Sequence, residues 1–348
     1  DILKALAITM VVFFHNMQLD SESIIDNALM MFCNAAVPVF FMVTGAVQLT
    51  RDNNFDEKKH IKRVIKMYLG IVCWKIIYAV FMHEFYGVHI DGSLSNIINY
   101  VFLFQGIDGV PTEHFWYIKA LIAMYFILPI LRLCRDKKTE YYLMAVLFIF
   151  SCIIFDLSLV FELVSKFTGK NIPNAMLLTE MNPFNPTYAI YILYMFLGKC
   201  LYEQKERIYK YRKRAVCSVV FGVLGLIAVK YIQSGTLKWQ GIHIVSGYYY
   251  CSTMLIAVGI FILFNSRKSV SSIERCIGIH VGRHTLGIFY IHILIYTILE
   301  NTVYIKISRF NNCFVNAIES LCIIGISLII IIIFNKIKML CIKSKKLS

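Results

Sequence analysis

Apolar residues in this chain fall in long runs separated by short polar stretches. They lack the strict alternation of a half-buried strand and the narrow apolar stripe of a soluble helix. Ten runs can be marked, at about 1–17, 27–49, 67–87, 115–134, 140–160, 187–203, 215–235, 247–265, 281–300 and 314–334. Each is near the length an α-helix needs to cross roughly 30 Å of hydrocarbon. The pattern predicts an all-α integral membrane protein, a bundle of about ten transmembrane helices forming one domain over 1–348. Within the 88–114 connection, Asn96–Gln105 is apolar but too short to span, which predicts a re-entrant or interfacial piece. The 161–186 connection, with Pro173, Pro183 and Pro186, is predicted to be ordered but irregular.

Composition agrees. Of 348 residues, 58% are hydrophobic and only 16% charged, so the lipid bilayer is the first partner. A net charge of +14 would also suit nucleic acid. Its distribution argues against that partner. The connections after the second, fourth, sixth and eighth runs and the C-terminal tail collect the cations, among them Arg51, Lys58, Arg63, Lys66, Arg132, Lys137, Lys199, Arg214, Arg283 and Lys336. The alternate connections hold only Lys166, Lys170, Lys230, Lys238, Lys306 and Arg309. That asymmetry predicts both termini on the cytoplasmic side. The 11 cysteines show no CxxC or Cys/His spacing, so neither a disulfide framework nor a metal site is predicted. The helical pattern is already under way at Asp1, which predicts a trimmed N-terminus, and no cleavage site marks the first run as a signal peptide. The basic Lys343–Ser348 reads as a natural end. Abundant Ile, Lys and Asn suggest an AT-rich bacterial genome.

Ionisable groups inside spans are costly and so point to function. Here they are Lys4, His15, Lys75, Lys119 and His292, with His83 and Glu84 near an outer boundary. At about 100° and 1.5 Å per residue, Lys4 and His15 return to within roughly 20° of one face and stand roughly 16 Å apart. An imidazole at that depth suits a general base on a hydroxyl, and equally a histidine hydrogen-bonded between helices. Lys4 suits an anion on the cytoplasmic side, or an ordinary positive-inside anchor. The basic stretch Lys58–Tyr68 suits the phosphates of a nucleotide-bearing donor, or a solvated face. Trp116 and Tyr117 suit interfacial anchoring, whereas Glu113 beside His114 could share a proton or grip a sugar. Tyr290 and His292 lie about 200° apart on a helix, which favours packing over a catalytic pair. No GxSxG, Walker, Rossmann or HExxH signature occurs.

Several of these stretches, in this order, resemble the membrane acyltransferase-3 family of bacterial O-acyltransferases of glycans. Asp1-Ile-Leu-Lys4 followed by His15 is similar to its first-helix Arg…His motif, with Lys4 in place of Arg. Pro38–Gly45 resembles its Phe-Phe-x-x-Ser-Gly, with Thr44 for Ser, and Arg63-Val-Ile-Lys66 its Arg-x-x-Arg. His114-Phe-Trp116-Tyr117, running on to Pro129, resembles its His-Leu-Trp-Tyr-Leu. Gly282–His292 matches a late Gly…Tyr…His pattern loosely, compressed by one residue. The resemblance implies transfer of an acyl group, acetyl or succinyl in type, from cytoplasmic acyl-CoA to a hydroxyl of an extracytoplasmic glycan or lipid-linked sugar. His15 would be the base. Lys4, Arg63 and Lys66 would hold the donor, Trp116 and His114 would line the acceptor's entry, and Glu113 and Tyr290 would also bind substrate. It implies a multi-pass protein of the bacterial cell membrane with acyl-CoA as substrate and no permanently bound cofactor. A carrier or exporter of a small polar or glycan substrate on the same scaffold is the alternative.

Overall fold

The computed structural model describes residues 1–17, 24–50, 55–170, 172, 181, 186–231, 244–266, 269–304 and 313–347. Among them the elements are α1 (Ile2–Asn16), α2 (Ile24–Cys33), α3 (Ala36–Gln48), α4 (Glu57–Tyr86), α5 (Leu94–Val101), α6 (Trp116–Leu131), α7 (Lys137–Phe148) and α8 (Ile154–Thr168). There follow α9 (Pro186–Glu203), α10 (Lys205–Ile208), α11 (Arg212–Tyr231), α12 (Cys251–Asn265), α13 (Ser272–Ile277), α14 (Thr285–Leu299) and α15 (Cys313–Leu347), with short 3-10 and π turns between some of them. No β-strand occurs among the described residues. The described residues are all-α; the second apolar run is divided between α2 and α3 and the fifth between α7 and α8. Five stretches are long and apolar enough to cross a membrane: Ile24–Gln48, Glu57–Tyr86, Glu113–Leu131, Lys137–Thr168 and Cys313–Ile337. α1 and α12 are apolar but shorter.

Local chemistry sets several boundaries. Asp56 accepts from the Lys59 N–H at 2.9 Å and starts α4; Gly87, at φ +65°, ends it in the left-handed region that costs glycine little. Asp136 starts α7 in the same way, accepting from the Thr139 N–H at 2.9 Å. In both, that backbone N–H is the largest influence holding the carboxyl below the usual carboxylate range. Beyond a π turn at Ile149–Ile153 the fifth run continues as α8. Residues 161–168 are therefore helical, where the sequence predicts a loop; the apolar period simply persists past 160. Pro173 and Pro183 lie outside the described residues, as do Arg51, Lys238, Lys306 and Arg309.

Where the sequence reads as one domain, two compact units can be distinguished. The first comprises Asp1–Arg51, Ile130–Thr285 and Asn312–Leu321. Its core is a backbone-to-backbone contact of α3 with α9. A Cβ added at Gly45 would stand 1.9 Å from the Met195 carbonyl oxygen, and one at Gly198 would stand 1.9 Å from that of Met42. Helices approach this closely only across small residues. Gly45, at the end of the Pro38–Gly45 stretch, thus has a packing reason. The same unit buries an ion pair, Glu140 to Lys199 at 2.7 Å, with the Cys200 thiol donating to the other carboxylate oxygen at 2.9 Å. Lys199 counts among the loop cations by sequence position, but it is buried inside α9.

The second unit comprises Asp52–Pro129, Leu286–Asn311 and Cys322–Ser348. Tyr78, fully buried on α4, ties that helix to α14. Its hydroxyl donates to the Tyr290 carbonyl and accepts from the Leu294 N–H, both at 3.0 Å, so it sits between two groups that an α-helix normally pairs directly.

Candidate functional site

α1 enters the first unit on two glycines. A Cβ at Gly282 would meet the Asp1 carbonyl oxygen at 2.2 Å, and one at Gly278 would meet the Ile2 nitrogen at 3.3 Å. This brings the Gly282 stretch against the opening Asp1-Ile-Leu-Lys4. The Asp1 carboxylate takes Lys4 at 2.7 Å and Arg283 at 3.6 Å. Two side-chain cations therefore share one side-chain acid, with a guanidinium added beside the lysine. Arg283 belongs to this corner although the sequence reading counts it only as a loop cation.

At the other end of α1, Asn16 is buried. Its amide donates to the Asn316 carbonyl at 3.1 Å, to Ser320 Oγ at 3.3 Å and to Glu319 Oε2 at 3.4 Å. These bonds fix the last turn of α1 to the start of α15. His15, the neighbouring residue, is the one exposed residue of Ile2–Asn16; all the others are buried or half-buried. Its ring meets Phe14 edge-on at 5.9 Å. An accessible imidazole on a rigidly held helix end can accept a proton from an approaching hydroxyl. The face that joins Lys4 to His15 is closed, however. Ile8 is 0% and Val11 6% exposed, so no open path runs along it between the two levels.

In the second unit the connection after α4 folds back along that helix. Ser93 caps α5 through Asn96 N–H, and the Ser93 N–H, bonded at 2.9 Å, holds the Asp91 carboxyl below its usual range. Tyr100 Oη donates to the Lys75 carbonyl at 3.0 Å, and Tyr68 Oη donates to the Phe102 carbonyl at 3.1 Å. Tyr68 lies roughly 27 Å of helical rise before Tyr86, at about 1.5 Å per residue, so the connection descends far along α4 before it returns. At its tip Phe104 has φ +61°, and the Gln105 carbonyl accepts from the buried Lys75 ammonium at 3.0 Å. That ammonium also lies 3.9 Å from the Tyr100 ring centre. This is the short apolar piece singled out in the sequence, tied down by a cation and two tyrosines.

The return limb delivers Glu113, His114 and Trp116 to the start of α6. Glu113 is exposed and Trp116 half-buried, whereas His114 is 5% exposed. His114 meets His292 edge-on at 5.2 Å, and Phe115 meets Tyr290 at 5.7 Å. The two stretches that the sequence keeps far apart are thus in contact. Tyr290 is also buried, stacked on Trp74 at 6.0 Å and donating to the Met67 carbonyl at 3.3 Å. Of the four residues expected to bind substrate here, His114 and Tyr290 are therefore enclosed by aromatic neighbours. Arg63 and Lys66 are exposed on α4, with the Arg63 guanidinium 5.8 Å from the Tyr125 ring centre. Lys4 and His15 lie in the first unit, and the remaining candidates in the second. No group of side chains that could hold a metal ion occurs among the described residues.

Membrane-length helices, an accessible imidazole and cations at helix starts define an integral membrane protein with the groups for acid–base chemistry. The family model described as an acyltransferase domain, acyltransferase-3, matches residues 1–336. The chain belongs to this family of membrane acyltransferases, and acyl transfer is the family's activity. No curated protein and no solved structure matches it.

Proposed function

We propose that this protein is an O-acyltransferase that moves an acetyl- or succinyl-type group from cytoplasmic acyl-CoA to a hydroxyl of an extracytoplasmic glycan or cell-envelope sugar. It would do so in the bacterial cell membrane, as ten spans with both termini cytoplasmic. The observation that carries the reading is His15, an exposed imidazole on an otherwise covered helix, in a chain of the acyltransferase-3 family. His15 takes the acceptor's hydroxyl proton while the oxygen attacks the thioester carbonyl. The C–O bond forms, the C–S bond breaks, and the proton leaves on the CoA thiol. Asn16 holds the helix end and so orients the base.

Cations of the right sign for the donor's phosphates stand on α4 as Arg63 and Lys66, and at the start of α1 as Lys4 with Arg283. Lys4 must exchange its bond to Asp1 for one to phosphate. Glu113 and Trp116 offer surface to a sugar, while buried His114 and Tyr290 hold that surface in place.

The test is transfer by the purified protein in liposomes, with labelled acetyl- and succinyl-CoA on the basic side. Wild type should release or transfer label. Arg63→Ala and Lys66→Ala should each raise KM for the thioester several-fold with little change in kcat, as expected for lost ground-state binding. If neither thioester is consumed and a glycan crosses the membrane instead, the protein is a carrier and the proposal is wrong.

A further inference from the structure

In the first unit, α8, α9 and the start of α12 enclose a polar cluster that the proposed transfer does not use. The fifth apolar run passes through the π turn Ile149–Ile153 before α8 begins, and such insertions into a helix often mark functional sites. Cys152, 0% exposed, lies in that turn. Phe155 of α8 stacks on Tyr249 at 4.5 Å, which sets α8 against the residues leading into α12. Tyr194 of α9 closes the cluster from a third side, its hydroxyl donating to the Tyr248 carbonyl at 2.9 Å.

Asp156 meets α12 at its first residue. That residue is Cys251, whose N–H has no acceptor within the helix. The Asp156 carboxylate supplies one at 3.2 Å. The same carboxylate is hydrogen-bonded to the Cys251 thiol, and that thiol is hydrogen-bonded in turn to the thiol of Cys152. Enclosed Cys152, half-buried Cys251 and half-buried Asp156 thus stand in a row. Packing alone uses cysteine as a small apolar residue and asks for neither a second thiol nor a carboxylate. Two touching thiols beside a proton acceptor have the parts for oxidation to a disulfide.

We infer that Cys152 and Cys251 are a hydroperoxide-sensitive pair that closes into a disulfide, with Cys251 attacking first and Cys152 resolving. The Cys251 proton goes to Asp156 while the sulfur attacks a peroxide oxygen. The S–O bond forms, the O–O bond breaks, and the proton passes to the departing oxygen. The Cys152 sulfur then attacks the Cys251 sulfur. The S–S bond forms, the S–O bond breaks, and the Cys152 proton leaves with the hydroxyl as water. The two thiols lose two electrons, and hydrogen peroxide becomes two waters. Access sets the order, because an oxidant reaches half-buried Cys251 before enclosed Cys152. The bond fastens the start of α12 to the middle of the fifth run, and none of this depends on the transferase reading.

The test is oxidation of the full chain in phosphatidylcholine nanodiscs by a small excess of hydrogen peroxide. Iodoacetamide, digestion without reductant and peptide mass spectrometry follow. Wild type should give a linked pair of peptides carrying Cys152 and Cys251, separated again by dithiothreitol. The linked protein should melt several degrees above the reduced one. Preparations that already carry the bond should lose it to dithiothreitol and regain it with peroxide. Cys152→Ser should stop at a Cys251 sulfenic acid that dimedone labels, whereas Cys251→Ser should leave Cys152 unlabelled. Asp156→Asn, which keeps an acceptor for the Cys251 N–H, should slow closure about tenfold or more. Exposed Cys73, Cys217, Cys276 and Cys322 serve as internal controls. If these are oxidised while Cys152 and Cys251 still take up iodoacetamide after denaturation, the assignment is overturned. Dimedone on Cys152 in the Cys251→Ser protein overturns the order of attack, and closure of Asp156→Asn at the wild-type rate removes Asp156 as the proton acceptor.

Discussion

His15 in the first unit and the His114–His292 contact in the second differ in how much of the imidazole's surface is left uncovered. His15 is exposed at the end of a helix whose last turn is clamped by the Asn16 amide. His114 and His292 are 5% and 1% exposed, packed edge-on with Phe289 and Tyr78 around them, and His292 Nδ1 meets the Phe289 carbonyl at 2.8 Å. An imidazole that a substrate can reach is available for proton transfer, whereas one enclosed by aromatic rings holds helices in register. The residue type alone cannot separate those roles; its surroundings do.

The largest disturbance to the first half of that comparison is a valine at Gly198 or Gly45. Each added side chain would overlap a facing backbone carbonyl, which cannot swing away as a side chain does. Gly198→Val should leave little folded protein after detergent extraction, as read by size-exclusion chromatography. A monodisperse product with wild-type melting would show that α3 and α9 are not in backbone contact.

Asn16→Ala is gentler. It removes an amide with three acceptors, at a cost of about 1–3 kcal/mol for the buried partners left behind. Transfer should fall about tenfold through kcat, with KM for acyl-CoA unchanged, because the base loses its orientation and the donor keeps its cations. A change confined to KM would remove Asn16 from the positioning of His15.

The smallest effects belong to the caps, one in each unit. Because Asp56 and Asp136 ionise more readily folded than unfolded, their stabilisation is full above the unfolded carboxylate pKa, about 3.9. It is lost as pH falls through the lower folded value. Asp56→Ala and Asp136→Ala should each lower the melting temperature slightly at pH 7, and the difference from wild type should shrink below pH 4. A difference that persists at pH 3 would mean the side chains act by something other than charge.

Much of the helical content was legible in the sequence because membrane helices carry their signal locally, in the length of their apolar runs. His15 stood out because an imidazole ending an apolar run is rare by itself. The rest depends on contacts between distant stretches. Nothing near Arg283 tells that it shares Asp1 with Lys4, and Lys199 reads as a loop cation until Glu140 is seen beside it. The 88–114 piece announces its shortness, but its path down α4 is set by Tyr68, Lys75 and Tyr100, whose partners are backbone carbonyls with no sequence signature. His114 and Tyr290 were expected at a binding surface; their burial follows from aromatic neighbours contributed by α4, by α14 and by the turn before α6.

The most direct measurement is a paired one, acyl transfer and thermal melting of the same purified preparations of wild type, His15→Ala and His292→Ala. The account predicts that His15→Ala loses about 10²–10⁴-fold in transfer while its melting temperature stays at the wild-type value. It predicts that His292→Ala melts earlier by several degrees yet turns over in proportion to the protein that remains folded. If His15→Ala transfers acyl groups at the wild-type rate, or loses activity only because it unfolds, the imidazole on α1 is a packing residue and the account is wrong.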